Sequence, residues 1–436
     1  MAKETDPLLK LQSWNSTHAV ICLVAISLGV MGLADLALNY LYKDDFGLSP
    51  AQLSMMSSVG LIPWIIKPVW GFISDCFPIG GRRRAPYLAL FGAVGALSWV
   101  LMGSIVTKPW QALLVMLCVQ IASAFCNVIG EALMVEQSQD SGLPEQASKN
   151  VSLFFGVRSV GVLLTAYTSG LLLQLVRKQT VFYITATFPV LLFLASALLN
   201  ERRVEVVDRP KVGNQLRQIV AFVKTPSICA PIGFVFLFMV IPTTSDAMFF
   251  FYTNKLGFEP EFMGRLKMAS GLASVIGIYS YNRWLKTVPF QTVFLWSSLI
   301  CALASSSQLL LVLRLNHYLY LPDSIFCLVS GFLVQAIGEM NALPVLVLCC
   351  RLCPKNIEGS MYALLMSTMN LGNLVSSQLA ALLTWAFGIT ETHFGMLWVY
   401  VLLTNVLLLL PVLCLWMVPD TLGEGKKEKG EEEELV

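Results

Sequence analysis

The sequence predicts an all-α membrane protein with twelve transmembrane helices, arranged as two six-helix pseudo-repeats. Of its 436 residues, 56% are hydrophobic and 13% are charged, whereas a soluble chain carries about 25% charge. Twelve apolar stretches are long enough to span a bilayer, which takes about 20 residues. Short patterns in the first half of the chain also recur about 210 residues later.

The apolar stretches form two groups of six, separated by a polar segment. The first group occupies 18–42, 51–74, 85–107, 110–135, 149–175 and 180–199. The second occupies 226–254, 261–283, 289–313, 321–349, 357–387 and 394–418. The predicted organisation is therefore a segment 1–17, a bundle 18–199, a central loop 200–225, a second bundle 226–418 and a charged tail 419–436.

Acidic residues mark the repeat between the halves. Asp35 and Asp246 occupy equivalent positions, and each is followed within about 15 residues by a Gly-x-x-Pro pattern. Glu131 and Glu339 are also equivalent, each within an Ile-Gly-Glu sequence. Transporters with parallel half-repeats bind their substrate between the halves. We therefore expect these four carboxylates to lie near the interface of the two bundles.

Lysine and arginine predict the orientation of the chain. About 19 of the 29 fall on the side that holds both termini, so both termini are expected in the cytosol. Residues 1–17 are polar, without the apolar region of a signal peptide, and too acidic for a typical transit peptide. We expect a multi-pass protein of the vacuolar or plasma membrane rather than of the plastid envelope.

Composition excludes several other classes of protein. The net charge of +2, without a basic domain, argues against a nucleic-acid partner. The pair Cys350-Arg-Leu-Cys353 has no second pair to complete a zinc site, and the three histidines lie near predicted helix ends. No catalytic triad or metal-ligand set is evident, so we expect neither an enzyme nor a bound cofactor or metal.

Charged residues inside the apolar stretches are the candidate site. An ionisable side chain in the bilayer is costly and is a functional candidate by default. We predict that Asp35, Glu131 and Arg158 form a central polar site, supported from the second half by Asp246 and Glu339. Two amides near the repeat-equivalent positions add hydrogen-bonding capacity, namely Asn341 and Asn370.

A structural interpretation of the same charges stays open. Arg158 and Glu131 lie on helices that are neighbours in sequence, so they can form a buried ion pair that only fixes packing. Lys67 lies near enough to the membrane edge to extend its ammonium group into water. Glu136 lies at that edge as well, and we expect it to face solvent.

The connection between the second and third stretches carries the most specific motif. A Gly-x-x-Ser-Asp step is followed by a short Pro-Ile-Gly-Gly turn and an arginine cluster. The motif residues are Lys67, Gly71, Asp75, Gly80, Arg82, Arg83 and Arg84. This pattern resembles the helix 2–3 loop of major facilitator transporters and, in its detail, the folate-biopterin transporters, with a plant-type member as the expected match.

The resemblance implies a major facilitator fold and a monomeric porter for folate or pterin solutes, coupled to protons. It also implies that the Lys67–Arg84 motif gates access to the site and does not touch substrate. One carboxylate can accept the paired donors of a pterin, and Arg158 suits an anionic tail. Two alternatives remain: a porter for another small organic solute, and a membrane receptor or scaffold that has lost transport.

Overall fold

The computed structural model describes residues 16–140, 144–199, 201, 226–285, 288–351 and 358–418. The predicted N-terminal segment up to Asn15, the central loop apart from Glu201, and the tail from 419 lie outside the described residues. So do Cys353 and the side chain of Cys350. Within the described ranges, the named regular elements are all helical.

The first half contains six helical segments that match the predicted stretches. They are α1 (Ser16–Asp45), α2 (Pro50–Cys76), α3 (Ala85–Ser104), α4 (Pro109–Asp140), α5 (Pro144–Leu175) and α6 (Lys178–Leu198). All six are long and apolar enough to cross a membrane.

The second half repeats this arrangement. Its segments are α7 (Pro226–Met239, then Ser245–Phe250), α8 (Pro260–Ser280), α9 (Phe290–Val312), α10 (Asp323–Arg351), α11 (Glu358–Ala386) and α12 (Leu397–Met417). Of these, α9, α10 and α12 meet the same length and apolarity criteria in the described residues. The segments α7, α8 and α11 do not meet these criteria in the described residues. In α7 the helix is broken, and α8 carries charged side chains.

Equivalent breaks interrupt α1 and α7. A 3₁₀ turn at Met31–Leu33 precedes Asp35, which lies in the first turn of the helix that follows. Residues 240–244 are non-helical and include Pro242, and Asp246 lies in the first turn after them. Proline lacks a backbone donor and disfavours helix in the preceding residue. The predicted continuous stretch 226–254 is therefore wrong in this detail, and each break places an aspartate at a helix restart.

The helix α2 is also broken, between Val59 and Lys67. Ile66 leaves helical geometry, with φ of −90° and ψ of 19°. Pro68 has no N–H to donate to the carbonyl four residues earlier, at Trp64. The Trp64 carbonyl is therefore available to a partner from another helix.

The two halves meet on one side of the membrane. We call the side where α1 begins and α12 ends the terminus side, and the opposite side the far side. On the far side, the Tyr40 and Phe249 rings lie 5.4 Å apart, and Lys43 Nζ donates to Asn254 Oδ1 at 2.7 Å. These contacts join the ends of α1 and α7.

Glycines bring α5 and α8 into close contact across the same boundary. A Cβ added at Gly170 would lie 2.7 Å from the Cα of Gly264 and closer still to the Pro260 carbonyl. Such small residues allow helix backbones to approach in a membrane. Together with the α1–α7 contacts, they close the far side of the interface.

Candidate functional site

The helix restart in α1 places Asp35 against a lysine of the other half. Lys267 Nζ lies 3.2 Å from Asp35 Oδ2, with side chains 35% and 57% exposed, respectively. Lys267 belongs to α8, so this ion pair links the two halves. Because both groups retain open surface between the bundles, either can also contact a solute.

The restart in α7 places Asp246 at the repeat-equivalent position, with a different partner. The Ser54 hydroxyl of α2 donates a hydrogen bond to Asp246 Oδ2. This contact also links the halves, but a neutral group supplies it. We find no ion pair for Asp246 among the described residues.

The carboxylate of Glu131 is held by Lys67. Lys67 Nζ lies 2.8 Å from Oε1 and 2.9 Å from Oε2, and Asn127 Nδ2 donates to Oε1 at 3.1 Å. The lysine side chain is 12% exposed and the glutamate 36% exposed. The suggested Glu131–Arg158 pair is therefore replaced by a Glu131–Lys67 pair, which joins the Lys67–Arg84 motif to α4.

Glu339 occupies the equivalent position in α10 and is bound by neutral donors. The Ser274 hydroxyl and Gln335 Nε2 donate to its Oε1 at 2.9 and 3.0 Å. Gln335 precedes Glu339 by four residues, as Asn127 precedes Glu131. Both halves therefore keep a hydrogen bond between an amide and the equivalent glutamate. Among the described residues, only the glutamate of the first half also has a cationic partner, Lys67.

The remaining predicted residues lie in different surroundings. Arg158 is half-buried on α5 and has no ion pair within the described ranges. Asn370 Nδ2 donates to the free Trp64 carbonyl at 3.1 Å, which joins the halves. Asn341 is buried inside the second half, where its Oδ1 accepts from Ser297 at 2.7 Å. This contact gives Asn341 a packing role between α9 and α10.

The Lys67–Arg84 motif is organised around Arg84. Its guanidinium lies 2.7 Å from Asp75 Oδ1 and 2.7 Å from Glu136 Oε1, and it donates to the Ser74 hydroxyl at 2.7 Å. Burial disfavours the charge, but the two carboxylates more than offset this and raise the pKa of Arg84. Glu136 is about half exposed, as expected at the membrane edge, and its contact with Arg84 also ties α4 to this loop.

Backbone geometry explains the glycines of the motif. Gly80 and Gly81 have φ of +60° and +76°, in a turn closed by hydrogen bonds between Ile79 and Arg82. Residues with a Cβ adopt such angles at a cost. The Gly71 position faces Val128 of α4 at ordinary contact distance.

A carboxylate caps the helix that follows this turn. Glu201 accepts hydrogen bonds from the backbone N–H groups of Arg83, Arg84 and Ala85, at 2.6 to 3.1 Å. Acidic groups stabilise the N-terminus of a helix. Arg83 is half-buried, and Arg82 is exposed. The backbone at the arginine cluster is thereby tied to a residue that follows α6.

Sequence reasoning overlooked Lys267, Ser54, Ser274 and Gln335. Lys267 lies within the predicted stretch 261–283, so the rule for intramembrane charges was sufficient to find it. The other three are neutral, and their spacing carries no comparable signal. Only the packing of α2, α8 and α10 brings them to the carboxylates.

A pocket lies inside the first half, apart from these charges. Its lining includes Ser27, Trp99, Cys126, Thr185 and Pro189. None of its lining residues is charged. We therefore place the candidate site between the halves, where Asp35 and Asp246 make their contacts.

Two helical halves around a charged interface are the arrangement of solved membrane transporters. The structure superposes on a D-xylose-proton symporter with a TM-score of 0.70 and 14% sequence identity, covering 94% of this chain and 99% of that chain. It superposes equally on the nucleoside transporter NupG, with a TM-score of 0.70 and 14% identity over 92% of this chain and 99% of that chain. The protein is a multi-pass membrane protein of the major facilitator fold, as predicted.

Sequence comparison identifies the family. The BT1 family matches residues 28–434. A folate-biopterin transporter of Synechocystis sp. is 39% identical over 404 residues, which are 92% of this chain and 82% of that protein. The chain belongs to the BT1 family, which confirms the predicted resemblance to folate-biopterin transporters. It is a transporter of small molecules and not an enzyme.

Proposed function

We propose that this chain carries folate or pterin solutes across a membrane by alternating access, in symport with protons. The observation that carries the proposal is the pair of repeat-equivalent carboxylates, Asp35 and Asp246, whose contacts cross between the two halves. Family membership supports the solute class, since the Synechocystis relative is a folate-biopterin transporter.

The chemistry of the site fits such a solute. A pterin offers its 2-amino group and a ring N–H as parallel donors, and one carboxylate can accept both. Asp35 retains the most open surface of the paired carboxylates described above, so we propose it as the pterin acceptor. A folate adds a carboxylate tail, and we propose that Arg158 receives it because no described residue neutralises its charge.

Alternating access follows from the asymmetry of the interface. Contacts close the far side through α1–α7 and α5–α8, which supports a state open toward the terminus side. We propose that residues 18–199 and 226–418 move as two units. The Lys67–Arg84 element would control the change of state, since Arg84 joins α2, α3 and α4.

We propose that the terminus side is cytosolic, on the strength of the lysine and arginine distribution. We propose the vacuolar or plasma membrane, rather than the plastid envelope, as the membrane that holds the protein. One chain supplies both halves of the site, so a monomer suffices, surrounded by lipid.

Uptake by cells that express the full chain tests the function. Labelled pterin and labelled folate are offered at two external pH values, with and without a protonophore. We expect saturable uptake that rises on acidification of the non-cytosolic side and is abolished by the protonophore. Cells expressing Glu131→Gln at a matched surface level serve as the control.

The result separates the alternatives. Uptake of another small organic solute, with neither pterin nor folate transported, would establish a different porter. No transport of any solute by correctly located protein would establish a receptor or scaffold. Saturable folate uptake that ignores pH would retain the solute and reject proton coupling.

A further inference from the structure

The two halves treat their equivalent carboxylates differently. In the first half, Asp35 is paired with Lys267 and Glu131 with Lys67. In the second half, Asp246 and Glu339 receive hydrogen bonds from hydroxyl and amide groups. No ion pair to either acid occurs in the described part of the chain. The acidic residues are therefore repeated in both halves, but their partners are cationic in one set and neutral in the other.

The kind of partner, cationic or neutral, determines which of these carboxylates can readily bind and release a proton. An ammonium group only donates, so a carboxylate beside it is held in the ionised form. A hydroxyl group can donate to a carboxylate and can also accept from a protonated carboxyl group. Ser54 can therefore serve both forms of Asp246 without leaving a buried polar group unpaired.

Asp246 and Glu339 differ in which half of the protein supplies their hydrogen-bond donors. The donors to Glu339, Ser274 and Gln335, belong to its own half. These contacts need not change when the halves move. The donor to Asp246 is Ser54 of the other half, so parting of α2 and α7 on the far side removes it. The surroundings of Asp246 thus depend on the state of the transporter.

We propose that Asp246 carries the coupled proton, and that Ser54 donates its hydrogen bond to Asp246 only when the far side is closed. The proposal rests on the proposed proton symport. A proton binds the Asp246 carboxylate from the far side when the halves part there. It leaves toward the terminus side after closure, and the ionised carboxylate then accepts the hydrogen bond from Ser54.

The surroundings of Asp246 fit this role. Tyr400 of α12 lies within electrostatic reach of the carboxylate and donates its own proton to the Thr243 carbonyl at 2.7 Å. The α2 residue in contact is Ser54, which is neutral. On its own segment, the helix Ser245–Phe250 holds no second charged residue. No described cation opposes protonation of Asp246.

Reconstituted full-length protein tests the assignment, with labelled folate as the probe. Asp246→Asn imitates the protonated side chain. We expect it to lose accumulation driven by a pH gradient but to keep counterflow, the exchange of folate across vesicles at equal pH. Glu259→Gln is the matched control, because Glu259 accepts from Gln174 across the halves at 3.2 Å. It should keep both activities.

Each outcome decides between the claims. Accumulation driven by a pH gradient in Asp246→Asn, or loss of counterflow as well, would overturn the assignment. Counterflow without pH-driven accumulation in the native protein would instead reject proton symport itself while retaining folate transport. Should Asp246→Asn not fold, Asp246→Glu keeps the carboxylate and should accumulate folate with a shifted pH profile, and an unshifted profile would overturn the proposal.

Discussion

Lys67 belongs both to the loop motif and to the central charges. The sequence suggests a residue at the membrane edge, whose ammonium group reaches water. Its ammonium group instead lies between the two oxygens of Glu131, 2.8 and 2.9 Å away. Opposite charges in a low-dielectric setting stabilise each other, and an isolated one is costly. A change at the gate can therefore reach the candidate site through a single side chain.

The Lys67–Glu131 pair predicts a measurable coupling. We expect Lys67→Met or Glu131→Gln to reduce uptake about tenfold, the effect of roughly 1.4 kcal/mol in the transport cycle. If the pair is mainly structural, the double variant should regain thermal stability lost by the Lys67→Met variant. A double-mutant cycle on melting temperature and uptake measures this, with a coupling of about 0.5–3 kcal/mol expected. Strict additivity in both readouts would contradict the pair.

Arg158 and Lys267 compete as the group that receives an anionic tail. Arg158 lacks an ion-pair partner in the described residues, whereas Lys267 is occupied by Asp35. We expect Arg158→Gln to lower folate uptake about tenfold more than uptake of a tail-less pterin, a difference of roughly 1.4 kcal/mol. Lys267→Gln, the matched control, should affect both solutes alike. Equal losses in Arg158→Gln would leave it only a packing role.

At the scale of elements, the α2–α3 loop is a joint between three helices. Arg84 binds Asp75 of α2 and Glu136 of α4, while Glu201 caps the start of α3. Burial alone would lower the pKa of Arg84, but Asp75 and Glu136 raise it, so these contacts stabilise the charged guanidinium. These contacts sit at the end of the bundle, on the terminus side. These contacts support the proposed role of the loop in the change of state.

Asp75→Asn should therefore slow turnover while leaving binding intact. The change removes one charge partner of Arg84 and keeps the shape of the side chain. We expect transport to fall several-fold, with the dissociation constant for folate changed by less than about twofold, or roughly 0.4 kcal/mol. Binding to purified protein and uptake rates measure the two effects. An equal loss of binding in a folded variant would refute the gating role.

The close approach of α5 and α8 predicts a second effect on gating. Gly170→Val would push against Gly264 and Pro260, so closure of the far side becomes unfavourable. We expect reduced transport and greater labelling of a cysteine introduced near Tyr40 from the far side. Gly331→Val is the control, since a Cβ there meets no atom within 4 Å. Unchanged labelling in Gly170→Val would contradict the close contact as a gate.

At the scale of the whole molecule, the two halves carry equivalent helix breaks. The breaks in α1 and α7 place the repeat-equivalent aspartates at helix restarts, where each is bonded to the opposite half. Discontinuous helices at the interface of repeats are how many transporters build their sites. The difference between Lys267 and Ser54 as partners supports the separate roles proposed for Asp35 and Asp246.

Topology supplies the last prediction. Because lysine and arginine favour the terminus side, we expect tags at either end of the chain to be reached only after the cytosolic face is opened. Selective permeabilisation followed by antibody binding measures this. A tag accessible from the outer face of intact cells or organelles would reverse the proposed orientation.

The sequence alone determined the class of fold, the helical segments and the loop motif. Hydrophobic length, charge scarcity and half-repeats are local properties of the chain, so reading along it suffices. Asp35, Glu131, Asp246 and Glu339 were likewise visible, because charge within an apolar stretch is itself the signal.

Only the tertiary structure decided which groups meet. Glu131 binds Lys67 and not Arg158, and Asn341 is hydrogen-bonded inside the second half. Lys267 of the second half contacts Asp35, and Ser54 of the first half contacts Asp246. These contacts join positions up to 232 residues apart, and nothing in local sequence specifies such a pairing. Helix packing and the close glycine contacts fix it, because they set which helix faces meet.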